Sequence, residues 1–224
     1  ENMLEQIKAI LFDLDGTLVD SMWIWKDVDI EFLRERNLAL PKDLEAFQDQ
    51  LEGMGFTETA VFFQEKFRLT ESVEEIKDTW VKMAEEKYAR EIPLKPGAAE
   101  FVEELKRRNI KLGICSSNSR ELIQTVLKAH GMENSFDCIT TCCDVPKSKP
   151  EPDVYLKTAQ MLSVEPADCL VFEDVPMGIL AGKRAGMQVC AVDDDFSKKQ
   201  EKEKRALADW YIRDYREILE REPV

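Results

Sequence analysis

One histidine, His130, stands among the 224 residues. A histidine-built metal cluster and a serine–histidine triad both lack their raw material. His130 itself closes a helical pattern and reads as a helix-terminal residue. No apolar run approaches the 18 residues of a membrane-crossing helix, so no membrane partner is expected. No basic tract of five or more residues is present either, and Asp+Glu outnumber Lys+Arg by 45 to 31, a net charge of −14. Nucleic acid is therefore not an expected partner, and an anionic ligand needs a local positive device. The six cysteines (Cys115, Cys138, Cys142, Cys143, Cys169 and Cys190) include no C-x-x-C pair. Five of them lie in or beside short apolar runs, and the set reads as buried reduced thiols rather than disulfides or zinc ligands. Residues 1–8 carry acids and lack the apolar stretch of a secretory signal, so a soluble, cytoplasmic protein is expected.

What is present is enough for a substantial core. With 44% hydrophobic residues, a chain of this length suits one large domain or a domain with an insert, and buries about 70% of its unfolded surface. IKAILF at 7–12 is dense enough for a buried parallel strand and runs into Asp13-Leu14-Asp15-Gly16-Thr17. Helical spacing then takes over: Ile24, Val28 and Phe32; Leu44, Phe47 and Leu51; Phe56, Ala60, Phe63 and Phe67. A fourth helix opens on the capping box at Ser72 and continues through Ile76, Trp80, Met83 and Tyr88. Beyond Pro93, strands at 111–115, 136–140, 169–174 and 188–192 alternate with helices. This pattern predicts an α/β fold, a doubly wound parallel sheet whose ligands bind beyond the carboxyl ends of its strands. The expected domains are a catalytic core of residues 1–20 and 91–224 and an inserted all-helical cap of residues 21–90. The charge run at 197–205 reads as a solvated helix face.

Four polar clusters follow apolar strands: Asp13/Asp15 with Thr17, Ser116-Ser117-Asn118, Lys149 between Ser148 and Pro150, and Glu173-Asp174. Alternate strand residues point the same way, so Asp13 and Asp15 can converge on one ligand as the strand gives way to the turn at Gly16. Paired acids at a strand end point to metal binding, nucleophilic attack and proton transfer together. Alone, Asp-x-Asp-Gly also serves as a turn or helix cap. The order of all four clusters within one alternating chain carries more weight.

With those motifs in view, the chain resembles the haloacid dehalogenase superfamily hydrolases, in the helical-cap subclass related to β-phosphoglucomutase and phosphoglycolate phosphatase. FDLDGTLVDS (12–21) is similar to their first motif, Ser116 to the second, Lys149 in KPEPDVY to the third, and FEDVPMGILAGKRAGM (172–187) to the fourth. The resemblance implies a Rossmann-like core and a phosphatase acting on a small phosphorylated metabolite. It makes Asp13 the nucleophile that becomes an aspartyl phosphate and Asp15 the acid and base. It also implies Mg²⁺ held by Asp13, the main-chain carbonyl of Asp15, Asp174 and, through water, Glu173. Ser116, with the N–H groups of Ser117 and Asn118 at the start of the next helix, is the expected anion seat. The four acids total −4, and two like charges 4 Å apart repel by about 4 kcal/mol at an effective dielectric of 20. Mg²⁺ and Lys149 together bring the site to −1, and a proton on Asp15 brings it to neutral, so a phosphate can enter.

The second acid disfavours a true dehalogenase, since halide leaves without a proton. Sugar-phosphate mutases of the β-phosphoglucomutase type carry a histidine where this chain has Trp25 and a basic residue where it has Glu52, which places a phosphatase ahead of a mutase. Selectivity is expected from the cap: Met22, Trp23 and Trp25, and the loop Glu52-Gly53-Met54-Gly55-Phe56, with Trp25 and Met54 as candidate substrate contacts. A phospho-accepting receiver-like domain is a third reading, but it needs no helical insert.

Overall fold

A computed structural model describes residues 2–51, 54 and 56–221. The chain divides into two compact units, Glu1–Met22 with Ile92–Val224, and Trp23–Glu91. The first is an α/β unit. Its strands are β1 (Ala9–Phe12), β2 (Lys111–Ser116), β3 (Cys138–Thr141), β4 (Cys169–Glu173), β5 (Gln188–Val192) and β6 (Trp210–Ile212), in the spatial order β3-β2-β1-β4-β5-β6 and parallel at every pairing. All four residues of β1 are buried, as its place in mid-sheet requires. Side-chain alternation explains how both faces are covered. Ala9 and Leu11 enter a core with Val154, Tyr155 and Ile179, while Phe12 stacks on Phe172 (5.2 Å between centroids) and meets Phe101 and Tyr215 edge-on.

Phe172 pairs with Phe12 in the ladder, and Ile114 flanks Phe12 on the other side, so the ends of β2, β1 and β4 lie level. At that level the sheet order reverses direction, the place where doubly wound sheets open a crevice. Asp13, Ser116 and Asp174 all stand there, each at or just past the end of its strand.

The Trp23–Glu91 unit is all-helical among its described residues: α1 (Ile24–Glu35), α2 (Leu44–Leu51), α3 (Phe56–Lys66) and α4 (Val73–Arg90). Its core is aromatic, with Trp80 edge-on to Phe63 at 5.0 Å and to Phe32 at 5.6 Å. The Ser72 capping box forms as its sequence predicts, Ser72 and Glu75 each accepting the other's main-chain N–H. Trp25 is exposed and leans on Phe56, and Met54 is half-buried with its N–H on the Leu51 carbonyl. Glu52, Gly53 and Gly55, also expected in the selectivity loop, lie outside the described residues.

The α/β unit adds α5 (Ala98–Arg107), α6 (Arg120–Ala129), α7 (Asp153–Leu162), α8 (Pro176–Arg184), α9 (Glu201–Leu207) and α10 (Arg216–Arg221). Two expectations are corrected here. The charge run at 197–205 is no solvated face throughout: Ser197 and Lys204 are fully buried. The cysteines are all free, but Cys143 is exposed and Cys142 half-buried, because both fall in a turn after β3 rather than in the strand. His130 caps the C-terminus of α6.

Candidate active site

β1 ends and the chain turns at once, with Gly16 at φ +79°, a left-handed conformation that favours glycine. Side chain and space agree on that residue, because a Cβ at Gly16 would overlap the Asp174 carboxylate. The turn brings Thr17 Oγ1 to 3.0 Å from Asp174 Oδ1 and 3.3 Å from Asp13 Oδ2, so one hydroxyl ties together the ends of β1 and β4. Thr17 is itself fastened from behind by the Tyr215 hydroxyl, which donates to its carbonyl at 2.8 Å.

Lys149 places a positive charge beside Asp13 and Glu173. Its ammonium donates to Glu173 Oε1 (2.6 Å), the Cys115 carbonyl (3.0 Å) and Asp13 Oδ1 (3.1 Å), which accounts for all three of its hydrogens. Burial works against the charge, but Asp13 and Glu173 more than compensate, and the ammonium is held above its ordinary pKa. Glu173 Oε1 also takes a short hydrogen bond from the Tyr155 hydroxyl. Burial and then the charge of Asp13 push Glu173 up to about 7, and burial, Asp13 and Glu173 push Asp174 well above the usual carboxylate range.

Asp13, Glu173 and Asp174 each present an oxygen within 4.8 Å of the others. Glu173 Oε2 and Asp174 Oδ2 are buried with no hydrogen-bond partner among the described residues. Two orphaned anionic oxygens beside a third carboxylate fit a small hard cation, which would satisfy both and relieve their mutual repulsion.

Asp15 is held apart from this trio by Ser21 Oγ, donating to Oδ1 at 2.6 Å, and by Asn118 Nδ2, donating to Oδ2 at 3.1 Å. The residues of the expected anion seat lie before the next helix rather than at its start. α6 begins at Arg120 with Ser119 as its cap, so Ser117 and Asn118 precede the helix, and the Asn118 N–H is spent on Ser116 Oγ (3.0 Å). Ser116 is buried at the end of β2, whereas Ser117 is exposed, with its hydroxyl 3.3 Å from Cys142 Sγ. Asn118 reaches the site through its side chain instead. Trp25 and Met54 belong to the helical unit. Ser21, Tyr155 and Tyr215 were not singled out by sequence reasoning. The first two sit inside the motif strings FDLDGTLVDS and KPEPDVY, where every second or third residue is a candidate and only contact distinguishes them.

The sequence profile of the haloacid dehalogenase-like hydrolases matches residues 10–192. The chain belongs to that family. Among curated haloacid dehalogenase-like relatives, β-phosphoglucomutase of Bacillus subtilis (strain 168) is 34% identical over 192 residues, 81% of each chain. Hexitol phosphatase B of Escherichia coli (strain K12) is 29% identical over 193 residues, 84% of each. Of solved structures, CbbY from Rhodobacter sphaeroides in complex with phosphate superposes with a TM-score of 0.78 at 26% identity, covering 95% of this chain and 96% of that one. The parallel sheet with helices on both faces is thus the fold of the haloacid dehalogenase-like enzymes. Among the described residues no helix is long and apolar enough to cross a membrane.

Proposed function

We propose that this chain is a Mg²⁺-dependent phosphatase that hydrolyses a small organic phosphomonoester through an aspartyl phosphate on Asp13. The observation that carries the reading is the cluster at the end of β1: Asp13 bonded to Lys149 and Thr17, with Glu173 and Asp174 each keeping one oxygen unpartnered. The hexitol phosphatase relative and the phosphate-bound CbbY neighbour support phosphate-ester chemistry. We take the working compartment to be the cytoplasm, in keeping with six free cysteines.

A carboxylate oxygen of Asp13 attacks phosphorus, and the bond from phosphorus to the ester oxygen breaks. Asp15 gives its proton to the departing oxygen, and the Ser21 and Asn118 hydrogen bonds hold its carboxyl in place for that task. Water then attacks the phosphorus of the aspartyl phosphate, Asp15 takes its proton, and phosphate leaves with Asp13 restored. Lys149 orients the nucleophile and balances its charge. Asp13, Asp174, the Asp15 carbonyl and Glu173 would hold Mg²⁺, which when bound neutralises the phosphoryl oxygens and polarises them for attack. Glu173 already shares Oε1 with Lys149 and Tyr155, so Oε2 is the oxygen it has to offer.

Phosphate release from p-nitrophenyl phosphate and a panel of sugar phosphates tests the reading. Asp13→Asn is expected to keep its circular dichroism and melting point but fall below about 1% of wild-type turnover, since an amide is a poor nucleophile. Chelation is expected to cost at least about 100-fold, reversed by excess Mg²⁺. Turnover that survives in Asp13→Asn overturns the assignment. The identity to β-phosphoglucomutase favours a second reading, a sugar-phosphate mutase. Phosphorus NMR with β-glucose 1-phosphate, Mg²⁺ and a trace of bisphosphate separates the two: inorganic phosphate accumulates first for a phosphatase, glucose 6-phosphate for a mutase.

A further inference from the structure

Behind Asp174 lie two buried lysines that the reaction as described does not use. Lys204 of α9 is fully buried, donates to the Val192 carbonyl (2.7 Å) and to Ser197 Oγ (2.9 Å), and lies 5.6 Å from the centre of the Tyr211 ring. Lys95 pairs with Asp194 at 2.5 Å and donates to the Asp193 carbonyl at 3.2 Å. Taking an ammonium out of water costs several kcal/mol. Both lysines direct that charge at one short stretch, 192–197.

The hydrogen bonds through Ser197 have a fixed direction. An ammonium carries only donors, so Ser197 Oγ must accept from Lys204. Its single hydrogen is then free for the main-chain carbonyl of Asp174 at 2.9 Å, a better acceptor distance than the Asp194 carbonyl at 3.4 Å. A hydroxyl that accepts from a cation is also a stronger donor. Asp174 is thereby gripped twice, at its main chain by Ser197 and at Oδ1 by Thr17, and Oδ2 is left without a partner among the described residues.

We propose that Lys204 and Ser197 are positioning residues for the cation site, a buried relay that fixes the end of β4 so that the Asp174 carboxylate is presented to a divalent ion. The inference rests on the reading of Asp174 as a metal ligand. It gives the lysine in the charge run a task that solvation would not: neither residue touches substrate, and both act through the backbone of a ligand. Outer partners of this kind typically contribute 10- to 100-fold to metal affinity.

Calorimetric titration of Mg²⁺ into the full chain, without substrate, tests this independently of turnover. Ser197→Ala and Lys204→Met are each expected to weaken Mg²⁺ binding about tenfold. The double variant is expected to bind no more weakly than Lys204→Met, because the lysine acts through the hydroxyl. Val126→Ala, a cavity on the buried face of α6, is the control: its melting point falls while its Mg²⁺ affinity stays at the wild-type value. Unchanged affinity in folded Ser197→Ala overturns the positioning role and leaves the metal site standing. A double variant that shows both losses in full overturns the relay. Wild type that binds no Mg²⁺ overturns the metal reading itself. Ser197→Ala removes a single oxygen and decides the question alone where Lys204→Met does not fold.

Discussion

Asp29 and Glu173 are both carboxyls held near neutrality, but by different surroundings. Burial is the largest cause for both; at Glu173 the charge of Asp13 adds to it, whereas in α1 burial pushes Asp29 from its usual 3.8 to about 7 against a hydrogen bond from Gln48. Asp29 shares the helical face of Val28, Phe32 and Leu33, all buried. The pH dependence follows from the sign of the shift. Between about pH 4 and 7 the unfolded chain gives up the Asp29 proton while the folded chain keeps it, so stability is full below 4, declines as pH rises and levels off above 7. At about 1.4 kcal/mol per pH unit the loss reaches a few kcal/mol. Denaturant unfolding of wild type and Asp29→Asn at pH 5 and pH 8 checks this: the wild type is expected to lose stability relative to the variant at the higher pH. Parallel behaviour of the two proteins would rule out a buried, proton-retaining Asp29.

At the scale of elements, α8 approaches β4 so closely that Gly178 has no room for a side chain; a Cβ there would overlap the Glu173 carboxylate. Gly178→Ala is therefore expected to displace Glu173, and with it Lys149, costing about 1–3 kcal/mol of stability by overpacking and about 100-fold in turnover by misplacement. Steady-state kinetics beside thermal unfolding reads both, and normal turnover would show that Glu173 tolerates the shift. The glycine stands inside the fourth motif, but nothing in the string tells a packing glycine from a helix breaker. Strands were legible where they are buried on both faces, since β1, β2, β4 and β5 are apolar runs of four to six residues. The sequence pattern starts β3 two residues early, at Phe136 and Asp137; Asp137 instead spends its carboxylate on the Leu112 N–H. β6, Trp210–Ile212, leaves no signal in the sequence: three residues at a sheet edge are too short for a period. Lys204 is not legible in the charge run, because a lysine among lysines gives no sign of which one turns inward.

For the whole molecule, the charge of −14 sets a field against any phosphate that approaches. Lys149 acts only at contact, its side chain 9% exposed and spoken for by three acceptors. Screening should then help rather than hinder. Raising NaCl from 20 to 200 mM at fixed Mg²⁺ is expected to increase kcat/KM for a dianionic phosphomonoester about two- to threefold with little change in kcat. A fall in kcat/KM would reveal a steering patch of the opposite sign.

The bond from Tyr215 to the Thr17 carbonyl spans 198 positions, and those that join Asp13 to Lys149 and Thr17 to Asp174 span 136 and 157. The turn after β1 is therefore made before all three of the residues Lys149, Asp174 and Tyr215 that fasten it and Asp13. Both neighbours of β1, the strands β2 and β4, are made before α9 and β6, whereas Tyr215 follows them. The clasp behind Thr17 can therefore close only after the strands that flank β1 have been made, which makes it the last of these fastenings to form.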